Sequence, residues 1–238
     1  MLPPIRTPFL SINPKAYLTG ADTLRLAAIA DELAGRLDID IIFTAQHVNL
    51  AQLAAQTSRL LVTAQHMDPI TLGRGMGYIL PEALVEAGAR AVVLNHAEHP
   101  LTLAELDATM RRADEVGLAT IVCADSIRQC QALAHFGPAA MICEPTALIG
   151  TGQMGDTGYV RDSIEAVKGI DPSIRVIAAA GVTCGADITR VLEAGADGSG
   201  GTSGIVQAPD WRAVLTDMAG AVAAFRDSQT TAPHTTSQ

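Results

Sequence analysis

The clearest indication of the architecture is the segment Ala139-Ala140-Met141-Ile142-Cys143-Glu144-Pro145. Its first five residues are apolar and do not alternate with polar ones, which is typical of a parallel strand covered on both faces. The run ends on a carboxylate and a proline, and the glycine-bearing segment Leu148–Gly152 comes shortly after. This stretch therefore predicts a buried strand with an acidic side chain at its carboxyl end.

Runs of the same kind alternate with helical patterns along the 238 residues. The clearest helical patterns are Leu24–Leu37, Pro81–Ala87 and Leu103–Val116. Eight strand–helix units over this length predict an α/β protein of one domain, a closed (β/α)8 TIM barrel. The runner-up is an open doubly wound sheet, but no GxGxxG motif follows the first strand. The predicted strands are Phe9–Asn13, Asp40–Ala45, Leu60–His66, Ala91–His96, Ala119–Ala124, Ala139–Glu144, Arg175–Gly181 and Asp197–Ser203.

Composition narrows the class of protein further. The chain carries 16 Lys and Arg against 25 Asp and Glu, a net charge of −9, and it has no basic run that would favour nucleic acid. No apolar stretch reaches the roughly 18 residues of a membrane span, and residues 1–8 do not resemble a signal peptide. We expect a cytoplasmic barrel over residues 1–226 and a disordered polar tail over residues 227–238, with no nucleic-acid or membrane partner.

Three polar side chains stand at or just after predicted strand ends. Lys15 follows the first strand, His96 the fourth and Glu144 the sixth. In a barrel of this type the carboxyl ends of all strands meet at one mouth. A cation, an imidazole and a carboxylate are the groups needed to move a proton beside a carbonyl through an enediolate. The spacing therefore predicts a proton-transfer site at this mouth.

Glycines cluster after the last three predicted strands. Gly150 and Gly152 follow the sixth strand, Gly181 ends the seventh, and Gly200–Gly204 ends the eighth. Barrels of this type often hold a phosphate between the loops after strands 7 and 8. Glycine allows backbone N–H groups to approach an anion closely. We expect a phosphate site here.

Four segments at these positions carry a resemblance to a known family. The chain resembles the triosephosphate isomerase family, most closely its shorter archaeal-type branch, in Asn13–Tyr17, Ala64–Ile70, Leu94–Glu98 and Glu144–Gly152. The resemblance implies an aldose–ketose isomerase that interconverts glyceraldehyde 3-phosphate and dihydroxyacetone phosphate in glycolysis and gluconeogenesis, without a cofactor or metal.

The resemblance also implies a role for each site residue. Glu144 is the expected base, His96 the electrophile that polarises the carbonyl, and Lys15 the cation that stabilises the enediolate. Glu98 is the expected partner of Lys15, and Pro145 to Thr157 form the expected lid. The residues expected along the substrate and its phosphate are Asn13, Ile149, Gly181, Thr202 and Ser203.

Two alternatives keep the same barrel. Pro14, Ala97 and His99-Pro100 depart from the family pattern, as does Gln153–Tyr159, which leaves open a related isomerase for a larger phosphosugar such as a tetrulose phosphate. A non-catalytic phosphate-binding barrel is the second alternative.

A metal site is a third possibility, because several histidines fall near strand ends. The donors would be His47, His66 and Asp68, with His96, Glu98 and His99 nearby. Their spacing matches no standard zinc pattern.

A glycine-rich loop predicts the assembly. Residues 71–78 resemble the loop that docks on a neighbouring subunit in this family. We expect a homo-oligomer, a homodimer or a homotetramer.

Overall fold

Eight parallel strands follow one another around a closed barrel, and the last strand pairs with the first. The structure is a computed structural model, and it describes residues 5–145 and 157–231. The closed barrel confirms the predicted (β/α)8 fold and rules out the open doubly wound sheet. The strands are β1 (Phe9–Ile12), β2 (Ile41–Ala45), β3 (Leu60–Ala64), β4 (Ala91–Leu94), β5 (Ala119–Ala124), β6 (Ala140–Cys143), β7 (Arg175–Ala178) and β8 (Gly198–Gly201).

Helices pack around the barrel and connect its strands. The helix predicted over Leu103–Val116 begins and ends at the same residues in the structure. A capping box between Thr102 and Glu105 lies at its amino end. The first helix begins at Gly20, four residues before the apolar pattern predicts, because its first turn is mostly polar. The helices described are α1 (Gly20–Leu37), α2 (Leu50–Gln56), α3 (Pro81–Glu86), α4 (Leu103–Val116), α5 (Ile127–Ala134), α6 (Thr157–Lys168), α7 (Gly185–Glu193), α8 (Ser203–Val206) and α9 (Trp211–Thr231).

Most strands end one to three residues earlier than the sequence predicts, at the carboxyl mouth of the barrel. The backbone turns away from the sheet there and presents polar side chains. Asn95 follows β4 with φ of 58°, and Lys15 lies three residues past β1 with φ of 47°. Both values are left-handed, which a non-glycine residue seldom adopts. The predicted strands were too long because apolar composition does not record this change of direction.

Strand β8 is the weakest strand in the sequence, and the structure explains its glycines. A Cβ on Gly200 would lie 1.7 Å from the carbonyl oxygen of Ser11, and one on Gly198 would collide with the ring of Phe9. Glycine therefore lets β8 approach β1 closely enough to close the barrel. Closure places the loop after β8 beside the loop after β1.

The carboxyl-terminal helix is longer than predicted. Helix α9 runs to Thr231, so the predicted disorder is wrong for residues 227–231. The Arg226 guanidinium donates to the carbonyl oxygens of Leu37 and Asp38 at 3.1 and 2.7 Å, which fixes this end of the helix against α1. Residues 232–238 lie outside the described residues. Within the described ranges, no helix is both long and apolar enough to cross a membrane.

Candidate active site

The three predicted catalytic side chains line one cavity. Lys15, His96 and Glu144 come from the segments after β1, β4 and β6, and they meet at the carboxyl mouth in a cavity of about 180 Å³. The other predicted residues that line it are Asn13, Glu98, Gly181, Thr202 and Ser203. Ile149 and residues 146–156 of the predicted lid lie outside the described residues.

Two side chains hold the backbone of Lys15. Asn13 Oδ1 accepts the Lys15 N–H at 2.9 Å, and Gln65 Nε2 donates to the Lys15 carbonyl oxygen at 3.1 Å. Gln65 Nε2 also lies 3.3 Å from Asn13 Oδ1, so the segments after β1 and β3 are joined. These bonds support the left-handed conformation of Lys15, which otherwise costs about 1–3 kcal/mol. Gln65 lies in the segment Ala64–Ile70, but it was not among the predicted site residues.

The Lys15 ammonium is paired. Its Nζ lies 2.7 Å from Glu98 Oε1, with the Lys15 side chain 14% and the Glu98 side chain 62% exposed. This hydrogen bond to Lys15 lowers the pKa of Glu98. The carboxylate therefore stays charged and keeps the ammonium at the cavity wall.

His96 is held as a neutral ring. Its Nδ1 accepts the N–H of Glu98 at 3.1 Å, so the proton of the neutral imidazole is on Nε2. Burial lowers the pKa of His96, and the Lys15 cation lowers it further, while Glu98 acts in the opposite direction. A neutral ring with Nε2–H can donate to a carbonyl oxygen in the cavity without giving up a full proton.

Asn95 fixes the segment from which His96 projects. Its Nδ2 donates to the carbonyl oxygen of Cys123 at 3.0 Å, and its Oδ1 accepts the N–H of Leu101 at 3.0 Å. One side chain thus joins the end of β4 to β5 and to the start of the α4 region. This contact could not be predicted from the sequence around Asn95, because Cys123 belongs to the next strand.

Glu144 is a buried carboxyl group with a pKa near neutrality. It follows β6, where its N–H donates to the carbonyl oxygen of Ala124 at 2.9 Å. Burial raises the pKa of Glu144 to about 7, against the lowering effects of the Lys15 charge and the Ala179 N–H. A carboxylate kept from water in this way is a stronger base than an exposed glutamate.

The loops after β7 and β8 form the other end of the cavity. Gly181 has φ of 72°, in the left-handed region that favours glycine. A Cβ on Gly204 would lie 2.6 Å from the carbonyl oxygen of Val182, so the two loops touch at backbone distance. Thr202 and Ser203 lie where the short helix α8 begins. This end offers small residues, hydroxyls and backbone N–H groups to an anion.

Histidines that could have bound a metal make other contacts. The rings of His66 and His99 stack with their centroids 3.9 Å apart, and His47 Nε2 contacts the carbonyl oxygen of His66 at 2.7 Å. Among the residues that the structure describes, no group of three or more potential ligands is arranged to hold a metal ion.

Comparison with known proteins agrees with this geometry. The family model described as triosephosphate isomerase matches residues 8–218. Curated relatives named triosephosphate isomerase include one from Methanobacterium bryantii, 34% identical over 89% of this chain and 96% of its own. Another, from Methanopyrus kandleri, is 35% identical over 90% and 97%. A third, from Caldivirga maquilingensis, is 34% identical over 90% and 97%.

Proposed function

The chain belongs to the triosephosphate isomerase family, and we propose from that premise that it interconverts glyceraldehyde 3-phosphate and dihydroxyacetone phosphate. The observation that carries the proposal is the single cavity shared by Lys15, His96 and Glu144. No particular observation favours an isomerase for a larger phosphosugar or a barrel that only binds phosphate.

Glu144 takes a proton from the carbon next to the substrate carbonyl. Its pKa of about 7 leaves a large fraction of the carboxylate ionised at neutral pH while keeping it basic. The electron pair of the broken C–H bond forms the enediolate, and the Glu144 carboxyl group then delivers a proton to the adjacent carbon. Because the proton on this carboxyl group can exchange with water while the enediolate is bound, solvent hydrogen enters the product. The substrate is oxidised at one carbon and reduced at its neighbour, so the reaction needs no external redox cofactor.

His96 and Lys15 act on the oxygen atoms. The Nε2–H of neutral His96 donates to the carbonyl oxygen and moves protons between the two oxygens of the enediolate. The Lys15 ammonium, held by Glu98, stabilises the negative charge that develops there. Both groups act most strongly on the charged intermediate, which is the requirement for raising kcat.

We propose that the phosphate group of the substrate lies at the end of the cavity lined by Gly181, Thr202 and Ser203. Ile149 is proposed to close over it from the lid, and Asn13 to contact the substrate beside Lys15. Small residues at this end leave room for the phosphate oxygens against backbone N–H groups.

Turnover of the purified protein tests the activity. We expect isomerisation of glyceraldehyde 3-phosphate in a coupled assay and exchange of the C1 proton of dihydroxyacetone phosphate with deuterated water. A four-carbon analogue is the control substrate, with at least about tenfold lower kcat/KM expected, or ~1.4 kcal/mol. Binding without proton exchange would support a phosphate-binding barrel, and preference for the analogue would support the larger-sugar isomerase.

We propose a homo-oligomer, a dimer or a tetramer, as the working form in the cytoplasm. The loop of residues 71–78 exposes Leu72 at 75%, Met76 at 101% and Tyr78 at 61%. Beside it lies a groove of about 640 Å³ that reaches Lys15 and His96. Apolar side chains this exposed favour burial against another copy of the chain.

Light scattering at micromolar concentration tests this assembly. We expect a mass of at least two chains of 24.7 kDa. Met76→Glu should shift the protein toward the monomer, because it places a charge in the apolar contact. Val85→Glu, on an exposed position of α3, is the matched control and should keep the wild-type mass. A wild-type monomer would contradict the proposal.

A further inference from the structure

Two histidines stack on each other beside the reaction cavity. His66 follows β3 and His99 follows β4, and their rings are 3.9 Å apart with an interplanar angle of 24°. Both line the groove of about 640 Å³ that also contains Lys15, His96 and Glu98. The stack therefore joins two successive loops at the edge of the site.

His99 is the last residue of a tight turn that carries the site contacts. Its N–H donates to the carbonyl oxygen of His96 at 2.7 Å, which closes the turn His96–His99. Within this turn Glu98 makes two contacts, its N–H to His96 Nδ1 at 3.1 Å and its carboxylate to Lys15 at 2.7 Å. A contact that holds His99 in place therefore also holds the N–H of Glu98, which donates to His96 Nδ1 and fixes the tautomer of that ring.

His66 is the fixed member of the pair. It is buried, with 8% of its surface exposed, and its Nε2 lies 3.4 Å from Asp68 Oδ1. Asp68 is itself anchored, because its Oδ2 accepts the N–H of Ile79 at 2.6 Å. His47 Nε2 also contacts the His66 carbonyl oxygen at 2.7 Å. His99, which is exposed, therefore stacks on a ring that is held in place.

From these contacts we propose that the His66–His99 stack is a positioning element for Lys15 and His96, and that its double protonation in mild acid releases the His96–His99 turn. The proposal rests on the proposed isomerase function for its kinetic consequence. It assigns a role to His99, where this chain departs from the family pattern.

Charge decides when the stack opens. Two protonated imidazoles would place like charges 3.9 Å apart, which opposes stacking. Burial lowers the pKa of His66, and His99 and His47 lower it further, while Asp68 acts in the opposite direction. The remaining titratable groups that line the groove include one cation and one carboxylate, which pair with each other. These groups are Lys15, His96, Glu98 and Tyr78. The pair therefore stays stacked at neutral pH, and the two like charges arise only in acid, below the lowered pKa of His66.

His99→Phe separates stacking from charge. Phenylalanine keeps an aromatic face against His66 but takes up no proton. The ratio of its kcat/KM to that of the wild type is the readout, since protonation of Glu144 affects both proteins and cancels. We expect this ratio to be about fivefold higher at pH 5 than at pH 8. A change of this size is typical of the interaction energy between two residues in contact.

His99→Ala removes the stack altogether. We expect kcat to fall about tenfold at pH 8 with an unchanged Tm, since the residue is exposed. Partial recovery in His99→Phe would show that the aromatic face matters. His135→Phe, at an exposed position after α5, is the matched control and should equal the wild type at every pH.

A spectroscopic measurement tests the same point without turnover. The ring ¹⁵N shifts of His96 report which nitrogen carries its proton. We expect them to move toward a mixture of tautomers in His99→Ala at pH 8 but not in His99→Phe. A flat activity ratio from pH 8 to pH 5, together with identical His96 shifts in all variants, would overturn the proposal. Absence of wild-type turnover at pH 8 would instead contradict the isomerase function, and the His96 shifts alone would then decide this inference.

Discussion

Replacement of Glu144 by glutamine should lower kcat for triose phosphate isomerisation by about a thousandfold, or ~4 kcal/mol. Glutamine keeps the shape of the side chain, but it carries an NH2 donor in place of one carboxylate oxygen and cannot accept the substrate proton. KM should change little, because the phosphate end and the Lys15–Glu98 pair are untouched. Steady-state kinetics in both directions, with proton exchange measured in deuterated water, give the comparison.

The same substitution lowers activity, but it should make the folded protein more stable at pH 8. The folded protein raises the pKa of Glu144 to about 7, above the ~4.3 of an unfolded chain. A raised carboxyl pKa contributes stability that is fully present below about pH 4 and is lost as the pH rises through about 7. Neutral glutamine does not ionise, so Glu144→Gln should have a higher Tm than the wild type at pH 8. This difference should disappear near pH 4.

Two further variants test whether the loss of activity comes from removal of the carboxylate at position 144. Glu144→Asp keeps a carboxylate one methylene farther from the substrate and should retain more activity than the glutamine variant. Glu193→Gln, at an exposed position at the end of α7, should leave both kcat and Tm unchanged. If Glu144→Gln kept a near-normal rate, Glu144 would not be the base, whatever its Tm.

The sequence could predict the barrel and the convergence of three side chains. Lys15, His96 and Glu144 each follow an apolar run, and a closed parallel barrel sends all such positions to one mouth. That inference needs only the order and spacing of the strands. It does not depend on where each strand ends, which the sequence predicted less well.

The contacts that orient these side chains could not be predicted in the same way. Gln65 reaches the carbonyl oxygen of Lys15 from the segment after β3, and Asn95 reaches Cys123 on β5. Such contacts depend on the register between strands and on left-handed backbone at Lys15 and Asn95. Local composition records neither. The glycines of β8 also could not be explained from local composition, because the groups for which they make room, Ser11 and Phe9, lie on β1.

The carboxyl end of α9 is a third feature that the sequence alone did not predict. The sequence from Asp227 onward lacks apolar periodicity and predicts disorder. The helix nevertheless continues, since the contacts of Arg226 lie on Leu37 and Asp38, far away in the chain. At this helix end, tertiary contacts override the local propensity of the sequence.

Lys15→Met should produce the second-largest loss, with kcat lowered about a hundredfold and KM raised. Methionine keeps an apolar stem of similar length but removes the ammonium. The enediolate then develops its charge beside no cation, and Glu98 loses its partner at 2.7 Å. Initial-rate kinetics over a range of substrate concentrations separate the two effects.

The pH profile distinguishes electrostatic loss from simple damage to the site. In the wild type, kcat/KM should fall as the pH drops below about 7, where Glu144 becomes protonated. Lys15 lowers the pKa of both Glu144 and His96, so its removal should raise both values and move this acid limb to higher pH. The sequence contains one other lysine, Lys168, which pairs with Asp197 at 2.8 Å. Asp197 directly precedes β8, so this pair lies at the amino end of the strand and not at the carboxyl mouth. Lys168→Met is therefore the matched control and should keep the wild-type limb and kcat. An unshifted limb in Lys15→Met would mean that the ammonium does not act on the base.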